Sequence, residues 1–211
     1  MSDHDARPGK TPDELREIYA EMAPRFERFE PVDRLLTGRA RRRLFARAVG
    51  RVLDVACGTG INARYLPRDV ELVGIDLSPA MVSRAQARTD RLGIDADFRQ
   101  GDATDLPFDD GAFDTVVSTM STCTFPDPVA ALREMARVCA PDGQVLLLEH
   151  GRSSVGPIAR FQDWRAPSHF AKTGCRWNHE PVELVTEAGI EVETVDRRLL
   201  GVFTAMVLSP T

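Results

Sequence analysis

The chain has 211 residues, 43% hydrophobic and 28% charged, a composition of folded globular proteins that excludes fibrous and largely disordered classes. With 27 Lys and Arg against 32 Asp and Glu, the net charge is −5, which provides no general attraction for nucleic acid. Cys57, Cys123, Cys139 and Cys175 form no CxxC pair, so a reducing, cytoplasmic setting is expected rather than a disulfide scaffold.

The first dozen residues read as a polar leader without the apolar stretch of a signal peptide. Thr11-Pro12-Asp13-Glu14 then marks a helix start, with Thr11 as cap and Pro12 at the first helical position. Leu15, Ile18, Tyr19, Met22, Phe26 and Phe29 recur at helical spacing, and Pro24 is expected to divide this helix. A second helix is predicted over 32–48, with the basic run at 39–43 as a solvated face that allows peripheral contact with anionic lipid. No apolar run reaches transmembrane length.

After Gly50 the texture changes to short β-favouring runs separated by helical stretches. Strands are predicted at 51–56, 70–76, 96–100, 113–118 and 144–149. Helices are predicted from the glycine turn to about Leu66, from Ser78 to Leu92 and from Pro128 to Cys139, with Pro141-Asp142-Gly143 as a turn. Such alternation implies βαβ units around a parallel sheet covered on both faces. A helix at 181–188 precedes strands at 190–196 and 199–208, which lie too close for a crossover and must pair antiparallel.

Asp-Val-Ala-Cys-Gly-Thr-Gly (54–60) follows the first strand, and its glycines allow a tight turn and a close backbone approach to a ligand. Alone, Gly58, Gly60 and Ala63 also satisfy the loose dinucleotide pattern, which keeps an NAD-dependent oxidoreductase as the rival of a different class. Asp54, at the carboxyl end of the first strand, would repel a pyrophosphate and suits an ammonium. Asp76 ends the second strand, where a carboxylate can accept both ribose hydroxyls, and Asp102 follows the third, within reach of an adenine amino group. In open α/β sheets ligands collect at these strand ends.

Val-Leu-Asp-Val-Ala-Cys-Gly-Thr-Gly (52–60), Val-Gly-Ile-Asp-Leu-Ser-Pro-Ala-Met (73–81), Gly-Asp-Ala-Thr-Asp-Leu-Pro-Phe (101–108), Phe-Asp-Thr-Val-Val (113–117) and Met-Ala-Arg-Val-Cys-Ala-Pro-Asp-Gly (135–143) together resemble class I S-adenosylmethionine-dependent methyltransferases. They are most similar in style to the group that includes quinone-biosynthesis enzymes. The resemblance implies a Rossmann-like α/β fold: a seven-stranded, mainly parallel sheet of order 3-2-1-4-5-7-6, last strand antiparallel, with helices on both faces. It further implies that Asp54, Ala56, Gly58, Gly60 and Ser118 hold the methionine part of S-adenosylmethionine, Asp76 the ribose, and Leu77, Met81, Asp102 and Ala103 the adenine. The turn before the fifth strand departs from the family's usual Pro-Gly-Gly, because Asp142 replaces the first glycine.

The chain is read as one domain, with 1–49 as a helical lid, 50–150 as the cofactor core and 151–211 as an acceptor cap plus hairpin. Methyl transfer from a sulfonium needs positioning, water exclusion and, where required, deprotonation of the acceptor. Tyr19 and His150 are the candidate catalytic residues, and Cys123, Trp164, His169, Cys175 and Asn178 the candidate acceptor pocket. His169, Cys175 and His179 lack metal-site spacing, so no metal is expected. Short strings at 149–153 and 174–178 also resemble phospholipid N-methyltransferases and membrane-associated thiol methyltransferases. The expected activity is direct in-line methylation of a small, partly apolar acceptor, a thiol or an amine, yielding S-adenosylhomocysteine. A phospholipid such as phosphatidylethanolamine, or a quinone or phenol, is the alternative acceptor. A monomer or homodimer is expected, without nucleic-acid partners.

Overall fold

The computed structural model describes residues 9–210, so most of the polar leader, residues 1–8, lies outside the described residues. Seven strands form one sheet in the order β3-β2-β1-β4-β5-β7-β6, as expected. They are β1 (Arg51–Val55), β2 (Glu71–Asp76), β3 (Ala96–Gln100), β4 (Phe113–Thr119), β5 (Cys139–His150), β6 (Glu191–Arg198) and β7 (Phe203–Ser209). The five strands β1 to β5 pair in parallel, while β7 runs antiparallel to both β5 and β6.

Alternate β5 side chains enter opposite layers of the core. Val145 and Leu147 pack with Leu132, Met135 and Val138 of α3 (Pro128–Val138) and Val185 of α5 (Pro181–Ala188). Leu146 and Leu148 join the layer containing Leu44 and Phe45 of α1 (Pro12–Phe45) and Ala85 of α2 (Pro79–Leu92). Burial on both faces explains why the central strands read as apolar runs.

Thr11 and Glu14 close a reciprocal capping box on α1, as the sequence indicates. The expected division at Pro24 does not occur, and α1 continues through Pro24 and Pro31 as one 34-residue helix. Each proline removes one backbone donor, but Leu15 and Ala23 are buried, and Tyr19, Met22 and Phe26, on either side of Pro24, share a cavity wall. The helix expected up to Leu66 shrinks to a 3-10 turn at Ile61–Arg64. Nor does Pro141-Asp142-Gly143 separate two elements. It is a bulge within β5, where pairing jumps from Phe113 opposite Cys139 to Thr115 opposite Gln144.

The segment after β5 contains an unexpected helix, α4 (Gly156–Thr173). Polar and aromatic residues interrupt its apolar pattern, and Gln162 instead anchors it by accepting from Ser153 N at 2.7 Å and donating to Gly151 O at 3.0 Å. Strand β7 starts at Phe203 rather than Leu199, because Leu199 and Leu200 have positive φ and form the hairpin turn. No described helix is long and apolar enough to cross a membrane.

Candidate active site

A cavity of about 540 Å³ opens at the carboxyl ends of the parallel strands, where the order reverses between β1 and β4. Ala56 and Met120, just past β1 and β4, line it with φ of 53° and 54°, a left-handed geometry that non-glycine residues adopt rarely and at a cost. Neither residue type signals this strain in the sequence.

Asp76 stands at the end of β2, half-buried, with its two oxygens accepting from Gly58 N at 2.8 Å and Ser78 N at 2.9 Å. Burial raises its pKa, while the two backbone donors oppose the shift. One carboxylate thus ties the glycine turn to the start of α2. Gly58 has φ +55 and a Cβ there would meet open space, whereas one on Gly60 would lie 2.9 Å from Ala85 Cα. Gly58 therefore leaves room for a ligand, and Gly60 permits helix packing. Leu77, Met81, Asp102 and Ala103 also line the cavity, with Asp102 fixed by Thr104 N and Oγ1.

Asp54, Gly60 and Ser118 do not line the cavity. Ser118 is buried between Val55 O and Ser121 Oγ. Asp54 accepts from Asn62 Nδ2 at 2.9 Å through Oδ1, while its buried Oδ2 has no partner. Burial pushes the Asp54 pKa up to about 7, with Asn62 and Arg41 pulling against that shift and Asp76 adding to it. Arg41 lines the cavity, 3% exposed, and donates to Asn62 Oδ1, Thr119 Oγ1 and Thr37 Oγ1. The basic run is therefore not uniformly solvated, because Arg41 turns inward while Arg39, Arg42 and Arg43 face water. Helical phase alone could have singled it out, since Arg41 follows Thr37 by four residues and Ala40 and Leu44 are buried beside it.

On the acceptor side, Tyr19, Cys123, His150, His169 and Cys175 share the cavity wall. Tyr19 has its phenol pKa raised by burial, with Cys123 and Cys175 reinforcing the shift, so the group stays protonated. His150 Nε2 lies 3.4 Å from Cys175 Sγ. Burial, its largest single influence, lowers the His150 pKa, but the hydrogen bond and charge of Cys175 and the charge of Glu149 outweigh it. The hydroxyl-rich loop after β4 hangs from buried Glu149, which accepts from Ser121 N, Ser121 Oγ and Thr122 N. Sequence reasoning named neither Glu149 nor Asn62.

Trp164 and Asn178 are absent from the wall. Trp164 is 72% exposed on α4, where Arg165 lies over its ring, and Asn178 donates to Asp163 at 3.1 Å. Trp177 instead supports the pocket, stacking on His169 with ring centroids 4.6 Å apart. His179 is held by Arg176 O and Thr122 Oγ1, and burial lowers its pKa to about 4, keeping it neutral.

Strand order, a glycine turn, and acidic residues at successive strand ends define an enzyme of the Rossmann-like nucleoside-cofactor class. A model of the methyltransferase domain matches residues 53–147. The chain is 35% identical to phosphatidylethanolamine N-methyltransferase of Cereibacter sphaeroides over 74% of its length and 77% of that protein. It is 36% identical to demethylmenaquinone methyltransferase of Renibacterium salmoninarum over 71% of its length and 64% of that protein. A structure described as a methyltransferase with the Haloferax volcanii Trm112 methyltransferase activator overlays 92% of the chain and 98% of its own, with a TM-score of 0.74 and 25% identity. The chain belongs to the class I S-adenosylmethionine-dependent methyltransferases. Its cofactor is S-adenosylmethionine, and the open space at Gly58 together with the unpartnered Asp54 oxygen fits that group.

Proposed function

We propose that the protein methylates the amine headgroup of a phospholipid such as phosphatidylethanolamine. One observation carries this reading: Phe26, Phe29, Val32 and Leu36 of α1 line the cavity and are also 41 to 62% exposed. The path into the site is therefore an apolar lip, suited to a molecule whose reactive head enters while its chains stay against α1. The relative from Cereibacter sphaeroides, whose name states that chemistry, supports the same reading. The described residues of segment 1–49 then act as the lid and those of 151–211 as the cap of the acceptor half.

The bound cofactor supplies an electrophilic methyl group on a sulfonium. Asp76 receives the ribose hydroxyls, Leu77, Met81, Asp102 and Ala103 surround the adenine, and the Gly58 turn admits the methionine part. Arg41, on the cavity wall, acts toward the carboxylate of that part, and Asp54, one layer behind the glycine turn, favours its ammonium through its charge. An amine acceptor must present a free lone pair. Withdrawal from water beneath the apolar lip favours the neutral amine, and the protonated Tyr19 phenol orients it as a donor. His150, engaged by Cys175, positions rather than accepts a proton.

Demethylmenaquinone methyltransferases among the relatives favour a second reading, a quinone-type acceptor entering by the same lip. S-adenosylhomocysteine release should be measured with phosphatidylethanolamine vesicles, a demethylated quinone and a small water-soluble thiol. Turnover with the vesicles is expected to exceed the others. Turnover confined to the quinone or thiol would overturn the phospholipid assignment.

A further inference from the structure

We propose that Cys123, His150 and Cys175 form a zinc site in the acceptor wall of the cavity, with the fourth coordination position open to the cavity. The three residues come from the loop after β4, the end of β5 and the segment after α4. Their candidate ligand atoms nevertheless all lie within 4.8 Å of one another. Zinc bonds of about 2.3 Å to sulfur and 2.1 Å to nitrogen place tetrahedral sulfur–nitrogen edges near roughly 3.6 Å. The His150 Nε2 to Cys175 Sγ separation is 3.4 Å. Two thiolates and one imidazole make a soft donor set that suits zinc over calcium or magnesium.

The surroundings are those of a supported site. Arg176 N donates to Cys123 O at 2.8 Å, so the loops carrying the two cysteines are tied together beside their sulfurs. Cys175 N is fixed by Thr173 Oγ1, and the Trp177 backbone hydrogen-bonds the His150 ring. Outer partners of this kind orient metal-ligating histidines. On uptake, two sulfur–zinc bonds and one nitrogen–zinc bond form, and the thiol protons pass to solvent. Three protein ligands leave one position for water or a donor atom of the acceptor. The metal claim rests on these side chains alone, whereas the role of the open position rests on the acceptor reading above.

The reduced full-length chain should be loaded with Zn²⁺, freed of excess by gel filtration and assayed for bound metal, with Co²⁺ as a spectroscopic substitute. One zinc per chain and thiolate-to-cobalt charge-transfer absorption are expected in the wild type and in Cys139→Ala, a control outside the cluster. Cys123→Ser and Cys175→Ser should abolish both signals, and His150→Ala should weaken zinc at least tenfold. Two cysteine variants and the wild-type cobalt spectrum keep the test valid if one variant fails to fold. Absence of stoichiometric zinc in the reduced wild type, or zinc retained by both serine variants, would overturn the proposal. So would a Cys123–Cys175 disulfide in air-exposed protein whose reduced form takes up no metal. Calorimetric binding of S-adenosylmethionine to the same samples separates a failed metal site from a failed methyltransferase reading.

Discussion

Asn62 donates to Asp54 Oδ1 at 2.9 Å and leaves the buried Oδ2 of the same carboxylate without a partner. The arrangement holds a carboxylate ready behind the glycine turn, and the burial that pushes its pKa up to about 7 ties cofactor binding to pH. An ammonium favours ionised Asp54, so binding releases a proton when the free carboxyl is protonated. Affinity is expected to rise as pH increases toward about 7, and to fall again as the ammonium deprotonates near pH 8. Stability of the cofactor-free chain has the opposite slope. The native state keeps a proton that the unfolded state releases from about pH 4, so stability drops between there and 7 and then levels. Calorimetry across this range should show both trends, and Asp54→Asn should flatten them while weakening binding about tenfold or more. A pH-independent wild-type affinity would refute the linkage.

The two glycines of the turn should separate stability from binding. Gly60→Ala puts a Cβ 2.9 Å from Ala85 Cα at a positive φ, a clash plus backbone strain expected to cost roughly 2–4 kcal/mol. Gly58→Ala meets no atom within 4 Å and should cost only about 1 kcal/mol. Its methyl group intrudes where the cofactor approaches, so affinity should fall more than stability. Denaturant midpoints and cofactor titrations of both variants would check this crossover, and equal stability losses would contradict it.

Arg41 links α1 to the turn through Asn62 and to β4 through Thr119. Truncation leaves Asp33, 3.4 Å from its guanidinium, without that cation and removes a donor from Asn62. Arg41→Ala is expected to lower stability by roughly 2–4 kcal/mol and to weaken cofactor binding as well. Chemical denaturation with and without S-adenosylmethionine measures each effect. Wild-type behaviour in both would show that this buried cation is dispensable.

Leu35 is 83% exposed on α1 beside the cavity lip, but does not line the cavity. Leu35→Asp should reduce flotation with phosphatidylethanolamine vesicles several-fold while leaving cofactor affinity intact. Equal vesicle binding by the two proteins would remove α1 as the docking face.

Strand positions were legible because a parallel sheet buried on both faces requires apolar runs, and turn residues bound them. Asp76 and Gly58 could be placed because one closes and the other follows such a run, whereas Asp102 follows the largely exposed β3 and was marked only by its Gly-Asp turn. Tertiary packing decided what local pattern could not. Pro24 remains within a helix whose residues on both sides of it line one cavity wall, and α4 was obscured by polar anchors such as Gln162. Arg41 belongs to a basic run, but its neighbours Ala40 and Leu44 carry it to the buried face. Cys123, His150 and Cys175 have no informative spacing, since the crossover topology alone brings them together at the carboxyl ends of β4 and β5. Trp164 and Asn178 stood in the right segment, yet the helical phase of α4 turns Trp164 to solvent and Asp163 holds Asn178.

Transfer of isotopically labelled methyl from S-adenosylmethionine to phosphatidylethanolamine vesicles tests the central assignment most directly. Label should accumulate in the extracted lipid with the wild type, as mono- and further methylated headgroups, and should fall at least a hundredfold with Asp76→Ala. Lipid that remains unlabelled, while the same preparation methylates a quinone or a soluble thiol, would contradict the account.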